Sequence, residues 1–158
     1  MSALKLRPAR PADLDALEAL ETRVFDGDQL SRRSLRAFIT SPRAALIVAE
    51  TPRVALAGYA LAAFRAGSRI ARLYSICTDP EAGRRGVGRA LLSECEALAR
   101  RRGCRALRLE VRADNPAALK LYSSMDYLKF AETEDYYEDG AAALRFEKRL
   151  GYVGSAAR

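Results

Sequence analysis

Apolar positions along this chain recur with two different periods. In some segments they alternate with polar positions or form short unbroken runs, which is typical of β-strands, and in others they return every three or four residues, as in an amphipathic helix. The predicted elements, in chain order, are a strand at 4–7, helices at 11–25 and 31–40, strands at 44–50, 54–65 and 70–78, a helix that runs to about 102, a strand at 106–112, a helix at about 116–125, and strands near 127–134 and 141–149. This order predicts an α+β fold whose mixed, mostly antiparallel sheet of about seven strands is flanked by four helices.

The segment 70–112 is a strand, a glycine-rich loop, a helix and a second strand, an order that joins parallel strands through a right-handed crossover. The loop opens the helix, and the first turn of a helix exposes unpaired N–H groups and a partial positive charge. Glycines let a phosphate approach those groups, and arginines add positive charge. The loop residues suited to this purpose are Arg84, Arg85, Gly86, Gly88 and Arg89. We therefore expect a pyrophosphate to bind there.

The composition limits the chemistry. None of the 158 residues is histidine, which excludes a Ser-His-Asp triad, a Cys-His pair and a histidine-ligated metal. Proton transfer must then use a carboxyl, a phenol, an amine, a thiol or water, and no metal site is predicted. The length and the absence of a Pro/Gly/Ser-rich linker predict a single domain over 1–158.

The three cysteines, Cys77, Cys95 and Cys104, are odd in number and lack Cys-x-x-Cys spacing. They are interpreted as reduced thiols in a reducing compartment. No apolar run is long enough to span a membrane, and the first residues lack the apolar core of a signal peptide. We expect a cytoplasmic protein without a membrane partner. The pattern does not distinguish a monomer from a homodimer.

The net charge of +7 is distributed unevenly. Residues 83–112 contain nine arginines against three glutamates, whereas 132–139 contain five acidic residues and no basic one. The basic segment suits a polyanionic ligand and the acidic segment a cationic one, although both are also compatible with solvated faces. Binding of nucleic acid is disfavoured, because the chain lacks aromatic residues interleaved with basic ones and any RNA-binding motif.

Two segments carry a family resemblance. Residues 79–92 resemble the pyrophosphate loop of the GNAT N-acetyltransferases, Gln/Arg-x-x-Gly-x-Gly/Ala, which follows a strand and opens a helix, and residues 109–122 resemble the second signature of that family. Order, spacing and element types agree over essentially the whole chain. The branch most resembled is that of the ribosomal-protein alanine N-acetyltransferases, through Leu109-Glu-Val-Arg112, Asn115, Leu121-Tyr122 and Tyr136-Tyr137. Two positions depart from the family pattern: Gly83 replaces a Gln or Arg, and Asp126 replaces a turn glycine.

The resemblance implies the GNAT fold, acetyl-CoA as co-substrate and direct acetyl transfer to a primary amine, such as a protein N-terminus, in a ternary complex. It implies that Glu110 is the general base, directly or through a water, and that Tyr122 is the acid that protonates the leaving thiolate. The residues expected to bind the cofactor are Ile76, Cys77, Thr78, Arg84, Arg85, Gly86, Val87, Gly88, Arg89 and Asn115. Cys77 is not expected to be acylated, and the acidic segment is expected to border the acceptor site.

Other interpretations stay open at this stage. Glu110 could pair with Arg108 or Arg112 on a strand surface, and Tyr122 could be a core tyrosine. The acceptor could be a small-molecule amine, such as a polyamine or an amino acid, rather than a peptide. The chain could also be a non-catalytic acetyl-CoA sensor or, less favoured, an RNA-binding module.

Overall fold

A computed structural model describes residues 4–25, 27, 29–82 and 86–151. Its strands are β1 (Lys5–Pro8), β2 (Ala44–Glu50), β3 (Gly58–Ala63), β4 (Ile70–Thr78), β5 (Ala106–Arg112), β6 (Leu128–Thr133) and β7 (Ala143–Arg149). Its α-helices are α1 (Leu14–Val24), α2 (Arg32–Thr40), α3 (Val87–Arg101) and α4 (Pro116–Ser124). The strands form one sheet in the order β1-β2-β3-β4-β5-β7-β6, and β4 and β5 are parallel. The predicted mixed α+β sheet with four helices is confirmed.

Two predicted boundaries were wrong. β3 begins at Gly58 rather than at residue 54, because the turn before it closes on itself through hydrogen bonds between Thr51 and Val54. The first helix is preceded by a 3-10 turn over Pro11–Asp13 rather than beginning at Pro11. No helix of the described residues is long and apolar enough to cross a membrane.

One compact unit consists of the described residues within Met1–Ala63 and Ser75–Cys95. Its strands β1, β2 and β3 are paired antiparallel. The leucines of the two amphipathic helices supply its core together with side chains of β2 and β3, and the largest buried members are Leu17, Leu20, Leu35, Tyr59 and Leu61. Burial of these side chains is the main force that holds the helices on the strands.

The second compact unit consists of the described residues within Phe64–Tyr74 and Glu96–Arg158. Its central strand β5 pairs with the first part of β4, from Ile70 opposite Ala106 to Leu73 opposite Leu109. On its other edge β5 pairs antiparallel with β7 along its full length, and β7 pairs with β6, whose register shifts at a bulge after Lys129. Residues directly opposite each other in an antiparallel pair present their side chains on the same face.

Local signals place the ends of α3 and α4 as the sequence predicts. Gly103 follows α3 with a φ of +83°, a conformation that glycine adopts without strain. Asn115 caps α4, since its side-chain oxygen accepts a hydrogen bond from the Ala118 N–H at 3.2 Å. Asp126 takes the left-handed turn after α4 with a φ of +70°, as expected for a residue in the place of a turn glycine.

Candidate functional site

The start of α3 has the features of an anion site. Gly86 precedes the helix with a φ of +71° and a Cβ there would meet no heavy atom within 4 Å, so the backbone conformation, not packing, requires glycine. Its carbonyl accepts the first helical hydrogen bond, from the Ala90 N–H at 2.9 Å. The first turn contains no acidic residue, and Arg89 is exposed. An anion at this helix start would meet N–H donors and a positive charge.

Of the remaining loop residues predicted to bind the cofactor, the structure describes two and leaves two outside the described residues. Val87 and Gly88 are the first residues of α3, and the Val87 side chain is buried. Arg84 and Arg85 lie outside the described residues, so their predicted contacts with the pyrophosphate stay predictions.

The end of β4 carries the other predicted cofactor residues, Ile76, Cys77 and Thr78. Cys77 is buried, and the backbone of β3 comes very close to it: a Cβ on Gly58 would lie 2.5 Å from the Cys77 carbonyl oxygen and 3.1 Å from a methyl carbon of Val87. Burial, with smaller contributions from the Glu21 and Asp79 carboxylates, raises the pKa of the Cys77 thiol to about 12. The thiol is therefore protonated at neutral pH and a poor nucleophile.

Glu21 forms a buried polar network that the sequence analysis did not identify. Its carboxylate is 1% exposed and accepts hydrogen bonds from the Tyr59 hydroxyl and from the Leu30 N–H at 2.6 Å. The Tyr59 hydroxyl also lies 2.9 Å from the Ser75 Oγ. Burial, and then the contact with Glu21, raises the pKa of Tyr59. A signal was present, because Glu21 lies four residues after Leu17 on the apolar stripe of α1.

Asp79 is a second buried carboxylate near the start of α3. It forms an ion pair with Arg23 of α1 at 2.6 Å, and its other oxygen accepts a hydrogen bond from the Glu81 N–H at 2.9 Å. Its own N–H donates to the Ala57 carbonyl at 2.8 Å. These bonds hold in place the turn that leads toward α3.

Glu110 of β5, the predicted base, pairs with a residue that the sequence did not indicate. It lies opposite Arg145 of β7, and the Arg145 Nη2 is 3.0 Å from its Oε2. The neighbouring arginines pair elsewhere: Arg108 with Glu147 at 2.6 Å, and Arg112 with Asp114 and Asp139. The alternative pairing of Glu110 with Arg108 or Arg112 was therefore wrong.

One carboxylate oxygen of Glu110 lacks a hydrogen-bond donor. The side chain is 16% exposed, yet its Oε2 is buried and accepts no hydrogen bond within the described residues. The 3.0 Å approach of Arg145 is thus an ion pair without hydrogen-bond alignment. A buried carboxylate oxygen without a donor is rare in folded proteins and needs an explanation.

Tyr122, the predicted acid, is a buried residue of α4, 4% exposed. Its ring packs against Phe146, at 6.4 Å between centroids, and against Tyr127, at 5.9 Å. Phe146 lies opposite Leu109, and Arg145 lies opposite Glu110. Because alternate residues of a strand face opposite sides of the sheet, Tyr122 packs on one face of the β5–β7 pair and Glu110 lies on the other.

Asn115 and two of the acidic residues in 132–139 have partners within the protein. Asn115 is exposed at the start of α4, where its side-chain oxygen is occupied as the cap. Of the five acids in 132–139, Asp139 pairs with Arg112 and Glu132 with Lys129. Among the described residues no cluster of three or more acidic or cysteine side chains could hold a metal ion.

Comparisons with known proteins give a family. Over 67 residues the chain is 42% identical to the [ribosomal protein bS18]-alanine N-acetyltransferase of Escherichia coli strain K12. That alignment covers 42% of this chain and 45% of that protein, so the chain spans less than half the length of the curated relatives it matches.

Solved structures agree with the architecture. A crystal structure of the ribosomal-protein-S18-alanine N-acetyltransferase from Escherichia coli is 27% identical, with a TM-score of 0.82 over 96% of both chains. A nourseothricin acetyltransferase is 25% identical, with a TM-score of 0.78 over 94% of this chain and 99% of that chain. The profile of the acetyltransferase (GNAT) family matches residues 13–127, which is more than half of the sequence, and the chain therefore belongs to the acetyltransferase (GNAT) family.

Proposed function

We propose that the protein transfers the acetyl group of acetyl-CoA to a primary amine, and that this amine is the N-terminus of a protein or peptide, of the ribosomal-protein-alanine type. The observation that carries the proposal is the pair of predicted catalytic side chains on β5 and α4. Glu110 is a partly exposed carboxylate with an unsatisfied oxygen, and Tyr122 is a buried phenol on the opposite face of the same strands.

We assign the two proton transfers of direct acetyl transfer to these side chains. Glu110 accepts a proton from the attacking amine, whose nitrogen forms a bond to the thioester carbonyl carbon. The carbon–sulfur bond then breaks, and Tyr122 gives its proton to the departing thiolate, which leaves as free CoA thiol. A phenol has an ordinary pKa of about 10 and is protonated at neutral pH, so it can act as the acid.

The basicity of the acceptor favours an N-terminal amine. A protein α-amino group has an ordinary pKa of about 7.7–8.0, whereas that of a lysine amine is about 10.4. At neutral pH a sizeable fraction of an α-amine is already uncharged, and a carboxylate is a sufficient base for the rest. Similarity to the alanine N-acetyltransferases supports the same choice.

The cofactor is assigned to the start of α3 and the end of β4. The N–H groups after Gly86, with Arg84, Arg85 and Arg89, bind the pyrophosphate, while Val87 and Gly88 shape the first turn. The backbone of Ile76, Cys77 and Thr78 binds the pantetheine arm, and a backbone N–H there stabilises the oxyanion. Asn115 adds a cofactor contact next to its role as helix cap. The positive φ of Gly86 and the acid-free first turn of α3 support this assignment.

The acidic segment 132–139 contributes less attraction for a cationic acceptor than its sequence indicates. Two of its five acids are neutralised by intramolecular ion pairs. The others, Glu134, Asp135 and Glu138, are exposed, and we propose that these three attract the acceptor.

A small-molecule amine is the second candidate acceptor, supported by the structural similarity to a nourseothricin acetyltransferase. Release of free thiol from acetyl-CoA, measured with peptides that begin with Ala or Ser and with a panel of polyamines and amino acids, separates the two. We expect the peptides to be turned over, and N-terminally blocked copies of them not to be. Turnover of free amines alone would refute the peptide acceptor, and tight binding of acetyl-CoA without turnover of any amine would indicate a sensor.

A further inference from the structure

Arg145 has contacts on three sides that hold its guanidinium in one place. Its Nη1 donates a hydrogen bond to the Thr133 Oγ1 at 2.9 Å, its Nη2 lies 3.0 Å from the Glu110 Oε2, and its Cζ lies 5.7 Å from the centre of the Tyr136 ring. A guanidinium over an aromatic face at this distance is attracted to it. Arg145 is therefore an ordered positive charge rather than a mobile surface side chain.

The contact with Glu110 differs from an ordinary cross-strand ion pair. Two residues along the same strand pair, Arg108 lies opposite Glu147 and donates a hydrogen bond to it at 2.6 Å. Arg145 lies farther from Glu110, at 3.0 Å, and its N–H makes no hydrogen bond to the Oε2, which keeps its lone pairs. The carboxylate is thus held by charge attraction alone, and its capacity to accept a proton is not used up by a donor.

We propose that Arg145 is a positioning residue that orients the Glu110 carboxylate for proton transfer from the acceptor amine. The inference rests on the proposed role of Glu110 as base. Arg145 contacts Thr133 at the end of β6 and Tyr136 in the segment between β6 and β7, so it links the orientation of the base to the segment proposed to attract the acceptor.

The test compares Arg145→Met with Arg145→Lys and with the matched control Arg108→Met, which breaks the neighbouring ion pair without touching Glu110. For Arg145→Met we expect kcat to fall about 10- to 100-fold, the scale of losing ~1 Å of alignment. The KM and the dissociation constant for acetyl-CoA should stay within about twofold, because the cofactor residues are untouched. Arg145→Lys should recover part of kcat, and Arg108→Met should stay within about twofold of wild type.

Thr133→Val supplies a second variant if Arg145→Met does not fold, because it removes only the hydrogen bond that anchors the guanidinium. Its kcat should fall about threefold to tenfold at unchanged KM, a part of the alignment loss. Three results would overturn the positioning role. The first is a wild-type kcat in whichever of these variants folds, and the second is a loss confined to the affinity for acetyl-CoA. The third is a kcat of Arg145→Lys that is no higher than that of Arg145→Met. Glu110→Gln distinguishes this failure from a failure of the proposed function. Full activity of Glu110→Gln would refute the role of Glu110 as the base, whereas low activity of Glu110→Gln with wild-type activity of the Arg145 variants would refute only the positioning role of Arg145.

Discussion

Two regions of this protein each contain a glutamate with a buried carboxylate oxygen, and the hydrogen bonding of the two carboxylates is opposite. In the unit that contains α1 and α2, Glu21 is almost completely buried and accepts hydrogen bonds from the Tyr59 hydroxyl and the Leu30 N–H. In the unit that contains β5 and β7, Glu110 keeps 16% of its side chain exposed and has a buried oxygen without a donor. A satisfied buried carboxylate contributes to the fold, whereas an unsatisfied one keeps its lone pairs for chemistry.

Glu96 shows that the difference does not come from the unit in which the residue lies. It belongs to the same unit as Glu110 and is 4% exposed. Its carboxylate nevertheless accepts hydrogen bonds from the Tyr127 hydroxyl at 2.7 Å and from the Lys148 ammonium at 3.0 Å and 3.2 Å. Partly exposed Glu110 thus differs from the buried Glu21 and Glu96 in having an oxygen without a donor, which supports a chemical role for it.

Glu110→Gln should give the largest effect on activity. The amide cannot accept the proton as a base, so kcat should fall by about 10²–10⁴, the usual contribution of a general base. The free energy of unfolding should change by less than about 1 kcal/mol, since the one described interaction that is lost is the partly exposed ion pair with Arg145. Initial rates of thiol release and urea unfolding measure the two quantities. A fall in the free energy of unfolding as large as that expected for Glu21→Ala would contradict the contrast between Glu110 and Glu21.

Glu21→Ala should give the converse result. It leaves the Leu30 N–H and the Tyr59 hydroxyl without their acceptor, and each buried unsatisfied group costs ~1–3 kcal/mol. We expect the free energy of unfolding to fall by about 2–5 kcal/mol. Glu18→Ala on the same helix is the control, because Glu18 forms an exposed pair with Arg32 and should cost no more than ~1 kcal/mol. A wild-type urea midpoint for Glu21→Ala would show that the network is dispensable.

Gly58→Ala tests the packing beside the Glu21 network without changing a polar group. The new Cβ would lie 2.5 Å from the Cys77 carbonyl oxygen, so β3 and β4 must separate, at a cost of about 1–3 kcal/mol. Because the proposed pantetheine site is the Cys77 backbone, the dissociation constant for acetyl-CoA should also rise severalfold. Calorimetry measures the binding and urea unfolding the stability. Gly27→Ala, where a Cβ meets nothing within 4 Å, serves as the comparison and should leave both unchanged.

The smallest effect concerns the Cys77 thiol and appears only at alkaline pH. Its pKa of about 12 in the native state exceeds the ordinary value of ~8.5 in an unfolded chain. The native thiol keeps its proton while the unfolded thiol loses it, so stability should decline from about pH 8.5 upward, by ~1.4 kcal/mol per pH unit once the unfolded thiol is ionised. The difference between wild type and Cys77→Ala in urea unfolding at pH 8, 9 and 10 isolates this slope. If the free energies of unfolding of wild type and Cys77→Ala change with pH in parallel, the folded state does not raise the pKa of the Cys77 thiol.

Local rules explain which parts of the fold were predictable. The Asn115 cap, the turn at Gly103 and the left-handed Asp126 depend on residues within a few positions of each other, and the sequence shows those residues together. The start of β3 was misplaced, because the apolar residues before Gly58 match a strand pattern, whereas hydrogen bonds between Thr51 and Val54 hold Val54 in a turn. The catalytic roles of Glu110 and Tyr122 were predicted from the resemblance to the family signature and not from capping, turn or periodicity patterns.

The sequence alone determined the element order, the ends of α3 and α4, the GNAT family and the identity of the two side chains proposed for catalysis. Only the tertiary structure decided what surrounds them. The register of β5 with β7 places Arg145 opposite Glu110, and the packing of α1 on the sheet brings Glu21 to Tyr59, 38 residues away. The physical reason is that periodicity and capping are short-range properties of the chain, whereas the partner of a buried charge is set by strand register and by packing between distant segments.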